Sequence, residues 1–367
     1  MNSLVFSNML HRPARTIVSV FGIAVGVLLI VFTIGMTNGS LRERASREGN
    51  VGAELMLRAS GTIGISGNES FQIPTNLTED LKKIEGVENA VAIGQTTVST
   101  DDNFTGNRLI DGISFDEYAQ MAHLQIIEGR KFNEKADEVL IDTGFQAQKK
   151  YKVGDKVKIW ERDFTIVGTY EPAAGGRVKI PLDVMQAQLA SEKKCSTILI
   201  KIKEGFTEDQ VGKTLQDKFP NNQIFRTKDL EEIYAQGIPF LNTFLDVVVG
   251  IASLVSALII LLTMYTTVTE RTRQIGIMKA LGMSNGGIAW VIVQEALLLS
   301  FLGVISGVIM TYLLRFILTQ FTTLQVAIEI PLVLKTLVIG LIGGAIGALY
   351  PSMRAARMDA VEALSYE

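Results

Sequence analysis

The sequence predicts a polytopic α-helical membrane protein with four transmembrane helices and a large extracytoplasmic α/β domain containing a mainly β subdomain. Three observations predict it. Four runs are long, apolar and nearly free of charge, close to the ~20 residues that cross a bilayer core. The composition is mixed, 47% hydrophobic and 20% charged, with mean hydropathy +0.28. That is too apolar for an ordinary soluble domain and too polar for a chain wholly within a membrane. The first two runs are separated by residues 37–245, which have soluble character.

Residues 1–15 carry Arg12 and Arg15 and no acid, and Leu4, Val5, Phe6, Met9 and Leu10 form an apolar stripe. This reads as an amphipathic helix on the inner leaflet. Thr16 to Gly35 is an uncharged run of 20 residues, the core of a first span over 16–36. A signal peptide competes, but the run is long and no Ala-x-Ala site follows. Gly22 and Gly26 form a small-xxx-small pair suited to close helix contact.

Within 37–245 the ends read as α/β and the middle as β. The α/β part covers about 50–115 and 195–228, the mainly β part about 126–190. Ser60 to Ser70 is a Gly/Ser-rich loop. Asn76 or Thr78 caps a short helix that Gly86 closes, and Val87 to Ser99 is extended. Val157–Trp160 and Phe164–Tyr170 read as a hairpin around Glu161-Arg162-Asp163. Ser196–Lys203 alternates like a strand. Thr207 with Gln210 opens a helix as a capping box, and Asn222–Arg226 is a final strand.

Asp246 and Glu270 bracket 23 uncharged residues, Val247 to Thr269, giving a second span over 246–269. Upstream, Lys228 to Leu245 reads as a stalk broken at Pro239. The loop 270–288 follows. Arg271, Arg273 and Lys279 outnumber Glu270, which places it in the cytoplasm. Ile275, Ile277, Met278 and Leu281 supply an apolar side, Gly276 a gap in it, and Gly282 a C-cap. Such a helix can lie on headgroups or dock into a protein groove. The third span, 289–315, has 19 uncharged residues from Ala296 to Leu314. An outer loop, 316–331, leads to the fourth span, 332–351, where Lys335 snorkels outward. Gly303 with Gly307 and Gly340 with Gly344 repeat the small-residue spacing. Residues 352–367 form a cytoplasmic tail, with Arg354 and Arg357 agreeing with that side.

The order Glu270-Arg271, Ile275-Gly276, Lys279-Ala280-Leu281-Gly282 and Ser284 resembles the coupling segment of MacB/FtsX-type ABC transporter permeases, the family that includes LolC and LolE. Gln274 stands where that family usually has an acid. The outer segments Glu128-Gly129-Arg130, Glu138–Ile141, Val153–Asp155 and Phe164–Gly168 follow the family's order, as does the tail from Pro351, except at Ala360 and Ser365. The resemblance implies a multi-pass protein of the bacterial inner membrane with both termini cytoplasmic. It implies a permease subunit that is not itself the enzyme. ATP would bind a separate ABC ATPase subunit, seated on Glu270 to Gly282. A second permease copy, identical or related, and an adaptor or hydrolase outside are the further implied partners. The implied function is transmission of ATP-driven motion to the outer domain for export or release of an amphiphile or lipoprotein. The alternative is an FtsX-like regulator that activates a hydrolase without transport.

The residues offer little competing chemistry. Net charge of -3 gives no basis for nucleic-acid binding. One cysteine, Cys195, excludes an internal disulfide and reads as a small core residue. Gly212-Lys213-Thr214 lacks the upstream Gly of a P-loop, Thr207 standing there. Asp101, Asp102, Asp137 and Glu138 read as solvated carboxylates. Glu295 is weighed as a structural or coupling residue, paired with Arg271 or Arg273, against a proton or ion relay.

Overall fold

The computed structural model describes residues 13–60, 71–100, 106–236, 240–320 and 325–359. The expected helix before Pro13, the Gly/Ser-rich loop, Asp101 and Asp102, the break at Pro239 and the tail from Ala360 lie outside them. The chain divides into a helical unit and an α/β unit, with the change of unit at Gly39/Ser40 and again near residue 240.

The first helix, α1 (Pro13–Gly49), is longer than the predicted span. Its apolar part ends near Met36, but the helix does not. An apolar run marks the solvent a helix sees, not where its hydrogen bonding stops. From Ser40 on it belongs to the α/β unit, where Leu41 and Ala45 pack against that unit's core.

The α/β unit continues with β1 (Leu55–Ala59), β2 (Ile73–Pro74), α2 (Leu77–Lys82), β3 (Val87–Thr100), β4 (Gly106–Ile113) and α3 (Phe115–Ala122). Then come β5 (Gln125–Gly129), β6 (Glu138–Asp142), α4 (Thr143–Lys149), β7 (Lys156–Ile159), β8 (Arg162–Glu171), β9 (Val178–Pro181) and α5 (Leu182–Gln188). It closes with β10 (Lys194–Cys195), β11 (Thr197–Ile202), α6 (Glu208–Lys218), β12 (Asn222–Arg226) and α7 (Leu230–Gln236). Ten strands form one mixed sheet in the order β12-β1-β11-β3-β4-β9-β6-β8-β5, with β7 on β8. The two parts expected from the sequence are therefore one continuous sheet. The joint is β3, whose first half pairs with β11 and whose second half, from Ile93, pairs with β4.

Burial on both faces of β1 follows the period of two. Leu55 and Leu57 join Ile198, Ile200 and Leu215 on one side, while Met56 joins Val91, Leu199 and Tyr234 on the other. The Thr207/Gln210 capping box is present at the start of α6. The β7–β8 hairpin also forms, but its turn residues are Trp160 and Glu161, at φ 51° and 64°. Arg162 pairs with Ile159 and already belongs to β8. This corrects the Glu161–Asp163 turn, because charge marks exposure whereas the two-residue turn requires positive φ.

The helical unit contains α8 (Leu241–Glu270), α9 (Thr272–Ala280), α10 (Asn285–Thr319) and α11 (Ile330–Arg357) with the first part of α1. Four helices, α1, α8, α10 and α11, are long and apolar enough to cross a membrane. Their contacts run through small residues. A Cβ at Gly303 would lie 2.5 Å from Ile23 Cγ2, and one at Gly307 would lie 2.7 Å from the Ala24 carbonyl oxygen. Gly22 abuts Ile259, Gly26 abuts Ser256, Gly340 abuts Val304 and Gly344 abuts Ser300. Backbones approach closely where side chains are absent, which is how helices associate without a hydrophobic driving force.

Candidate functional site: the short helix α9 and its fastenings

The chain bends between α8 and α9 at Arg271, which has φ -109° and ψ 19°. The Arg271 amide still donates to the Thr267 carbonyl at 3.1 Å, so the second helix starts where the first stops. At the other end Gly282 takes φ +89°. Its amide donates to the Lys279 carbonyl, and the Met283 amide to that of Met278. This is a Schellman ending, and only a residue tolerant of positive φ completes it. Ser284 then caps α10, its side chain accepting from the Gly287 amide.

Side-chain pairs tie this short helix to the rest of its unit. Glu270, the last residue of α8, accepts from Arg15 of α1 at 2.9 Å. Arg271 Nη1 donates to Glu295 Oε2 of α10 at 3.2 Å, and both side chains are largely buried. Lys279 Nζ donates to the Ala356 carbonyl at 2.9 Å and the Met358 carbonyl at 2.6 Å, at the end of α11. A lysine there meets the negative end of the helix dipole. Ile275 packs into the common core with Val268, Ile288, Ile292 and Ala355.

Of the residues singled out in the sequence, Ile275 and Gly276 are buried within this chain. Gly276 is therefore not an open gap in a docking face, and this corrects the expectation. The short helix lies against its own bundle, and the 3.6-residue period turns 275 and 276 inward. The outward residues are Arg273, Gln274, Ile277, Ala280, Leu281 and Gly282. Leu281 is 83% exposed and Ile277 45%. Glu295 pairs with Arg271, while Arg273 points outward. Arg15 and the carbonyls of Ala356 and Met358 were not found from the sequence. A lone arginine and two backbone oxygens carry no motif.

The α/β unit holds a second dense group of charges. Lys179 and Asp111 are fully buried and 3.0 Å apart. Lys179 also donates to Tyr118 Oη at 3.1 Å. Asp111 accepts from the Gly176 amide at 2.6 Å and from Gln95 Nε2 at 3.1 Å. Burial pushes the Lys179 ammonium below its usual range, and Asp111 opposes that. From α1, Arg47 pairs with Asp142 at 2.8 Å and Glu43 with Arg177 at 2.5 Å. Glu48 accepts from Arg58 at 3.2 Å and from the Tyr234 hydroxyl. The opposite charges are matched within the group, so it reads as a structural polar core. Among the described residues no cluster has the make-up of a metal site.

Two family models match the chain: the MacB-like periplasmic core domain over residues 16–218 and the FtsX-like permease C-terminal over residues 247–360. This chain belongs to the MacB/FtsX family of ABC transporter permeases. The permease is 24% identical to the uncharacterized ABC transporter permease YknZ of Bacillus subtilis (strain 168), over 99% of this chain and 98% of that one. It is 23% identical to the probable export ATP-binding/permease protein MacB of Pseudomonas entomophila (strain L48), over 97% of this chain and 57% of the relative. The periplasmic region of MacB from Actinobacillus actinomycetemcomitans is similar at 14% identity and a TM-score of 0.37, covering 50% of this chain and 94% of that structure. A permease of this type works with an ATPase, and the residues matched here are those of the permease.

Proposed function

We propose that the permease receives the motion of a separate ABC ATPase on the outward face of α9 and passes it to the α/β unit. That unit would lie outside the bacterial inner membrane, with both termini inside, and the cargo would be an amphiphile or lipoprotein. ATP would bind the ATPase subunit, and two permease copies would present two such faces. The observation that carries the reading is the double character of α9. Arg271 and Lys279 bind it to α10 and α11, while Ile277 and Leu281 stay uncovered. A segment held by the bundle yet apolar on its outer side has the form of a docking helix.

The test is purification of the tagged permease from its own cells in mild detergent. An ATPase subunit is expected with the native chain and not with Leu281→Asp. Recovery of the same ATPase with Leu281→Asp, or with neither chain under conditions that preserve other transporter complexes, overturns the reading.

A further inference from the structure

We propose that the helical unit carries a headgroup site for an anionic phospholipid, formed by Tyr265 of α8 with Tyr350 and Arg354 of α11. It is separate from the docking face of α9 and does not depend on that reading. The two tyrosine rings stack, with centroids 6.5 Å apart and an interplanar angle of 12°. The Arg354 guanidinium carbon lies 4.7 Å from the centre of the Tyr265 ring. Stacking on an aromatic ring holds a guanidinium in place while leaving its N–H groups directed to other acceptors.

No carboxylate of the described residues ion-pairs with Arg354, or with Arg357 one turn on. Both side chains are exposed, as is Tyr350. The side-chain partners of Arg354 are the neutral Tyr265 and Tyr350, so both arginines face outward with their charge unmatched by a carboxylate of the described residues, beyond the favourable contact with the end of α11 that any basic residue there would make.

The surroundings select the source of the acceptor. One and two turns back along α11, Ile346 and Ile342 are exposed, and along α8 so are Leu262 and Leu258. On helices of spanning length such surface is covered by acyl chains. The tyrosine pair sits where this apolar surface gives way to arginines, the level at which tyrosine collects in membrane proteins. A lipid lying on these helices brings its phosphate to Arg354. A free phosphate would satisfy the charge but leave the apolar surface uncovered. Two neighbouring arginines disfavour a choline headgroup and favour a net anionic one such as phosphatidylglycerol.

The experiment is native mass spectrometry of the full chain with equal phosphatidylglycerol and phosphatidylcholine. The native chain is expected to retain phosphatidylglycerol preferentially. Arg354→Gln should lower its retention about fivefold, the effect of one arginine at a charged surface. Arg357→Gln should lower it less, and excess glycerol 1-phosphate should not displace the lipid. Arg354→Lys keeps the charge without the planar group and should show a smaller loss, which carries the test if Arg354→Gln does not fold. Equal retention of the two lipids, native-level retention in the Arg354 variants, or equal loss in both arginine-to-glutamine variants overturns the site. Displacement by glycerol 1-phosphate reassigns it to soluble phosphate compounds and overturns the lipid proposal.

Discussion

Arg271 at the head of α9 and Glu295 of α10 form an ion pair 3.2 Å long, with side chains only 13% and 6% exposed. The pair lies 24 residues apart in sequence and fastens α9 to a spanning helix. Glu295→Ala leaves the guanidinium buried without its carboxylate and is expected to destabilise the helical unit by about 3 kcal/mol. The exchange Arg271→Glu with Glu295→Arg should recover part of that. Denaturation in mixed detergents reads both. A double variant no better than the worse single one would argue against a direct pair.

In the α/β unit the Lys179–Asp111 pair sets a similar expectation. Asp111→Asn removes the charge partner of a fully buried ammonium and should cost about 3–5 kcal/mol. Lys179→Met with Asp111→Leu should cost less than either single change. Urea unfolding of the α/β unit, followed by circular dichroism, measures the three.

Small residues in the helical unit divide by surroundings. Gly307→Ala places a methyl group 2.7 Å from the Ala24 carbonyl, which is backbone and does not yield. A loss of about 1–3 kcal/mol is expected. Gly250→Ala meets nothing within 4 Å and should gain up to about 1 kcal/mol from helix propensity. Thermal denaturation in detergent compares them.

Charges at the surface of the α/β unit give a pH dependence. Arg130 bonds both Glu138 carboxylate oxygens, at 2.8 and 2.6 Å, and holds the Glu138 pKa below its ordinary value. A depressed carboxylate pKa contributes stability above the unfolded value that is lost as pH falls through the folded one. Arg130→Gln should therefore narrow the stability difference between neutral pH and the acid side of 4.5. A difference unchanged from native would remove this pair from the account.

Cys195 is fully buried, and burial pushes its thiol up to about 12. It should resist maleimide at pH 8 in the folded protein and react once in denaturant. Rapid labelling of the native chain, measured by intact mass, would contradict its place in the core.

Much of this was readable in the sequence, for identifiable reasons. Uncharged runs reveal spans because a charge in hydrocarbon is costly. Thr207 and Gln210 reveal a cap because their reach is three residues. What stayed hidden depended on distant partners. Glu43, Arg47 and Glu48 look like solvated helix charges, yet Arg177 and Asp142 neutralise the first two from far along the chain. Gly276 looks like an opening only until the helix is placed against its bundle. The turn at Trp160 and Glu161 was missed because neither residue type signals positive φ.

The last ten residues of α1 also decide where the α/β unit can be cut free. A soluble fragment begun at Asn50, just past the helix, would discard Arg47, which pairs with Asp142, and Glu48, which binds Arg58 and Tyr234, and would uncover the surface that Leu41 and Ala45 shield. Begun at Ser40, it would keep them all. The boundary of the α/β unit thus falls inside a helix, where hydropathy changes and secondary structure does not.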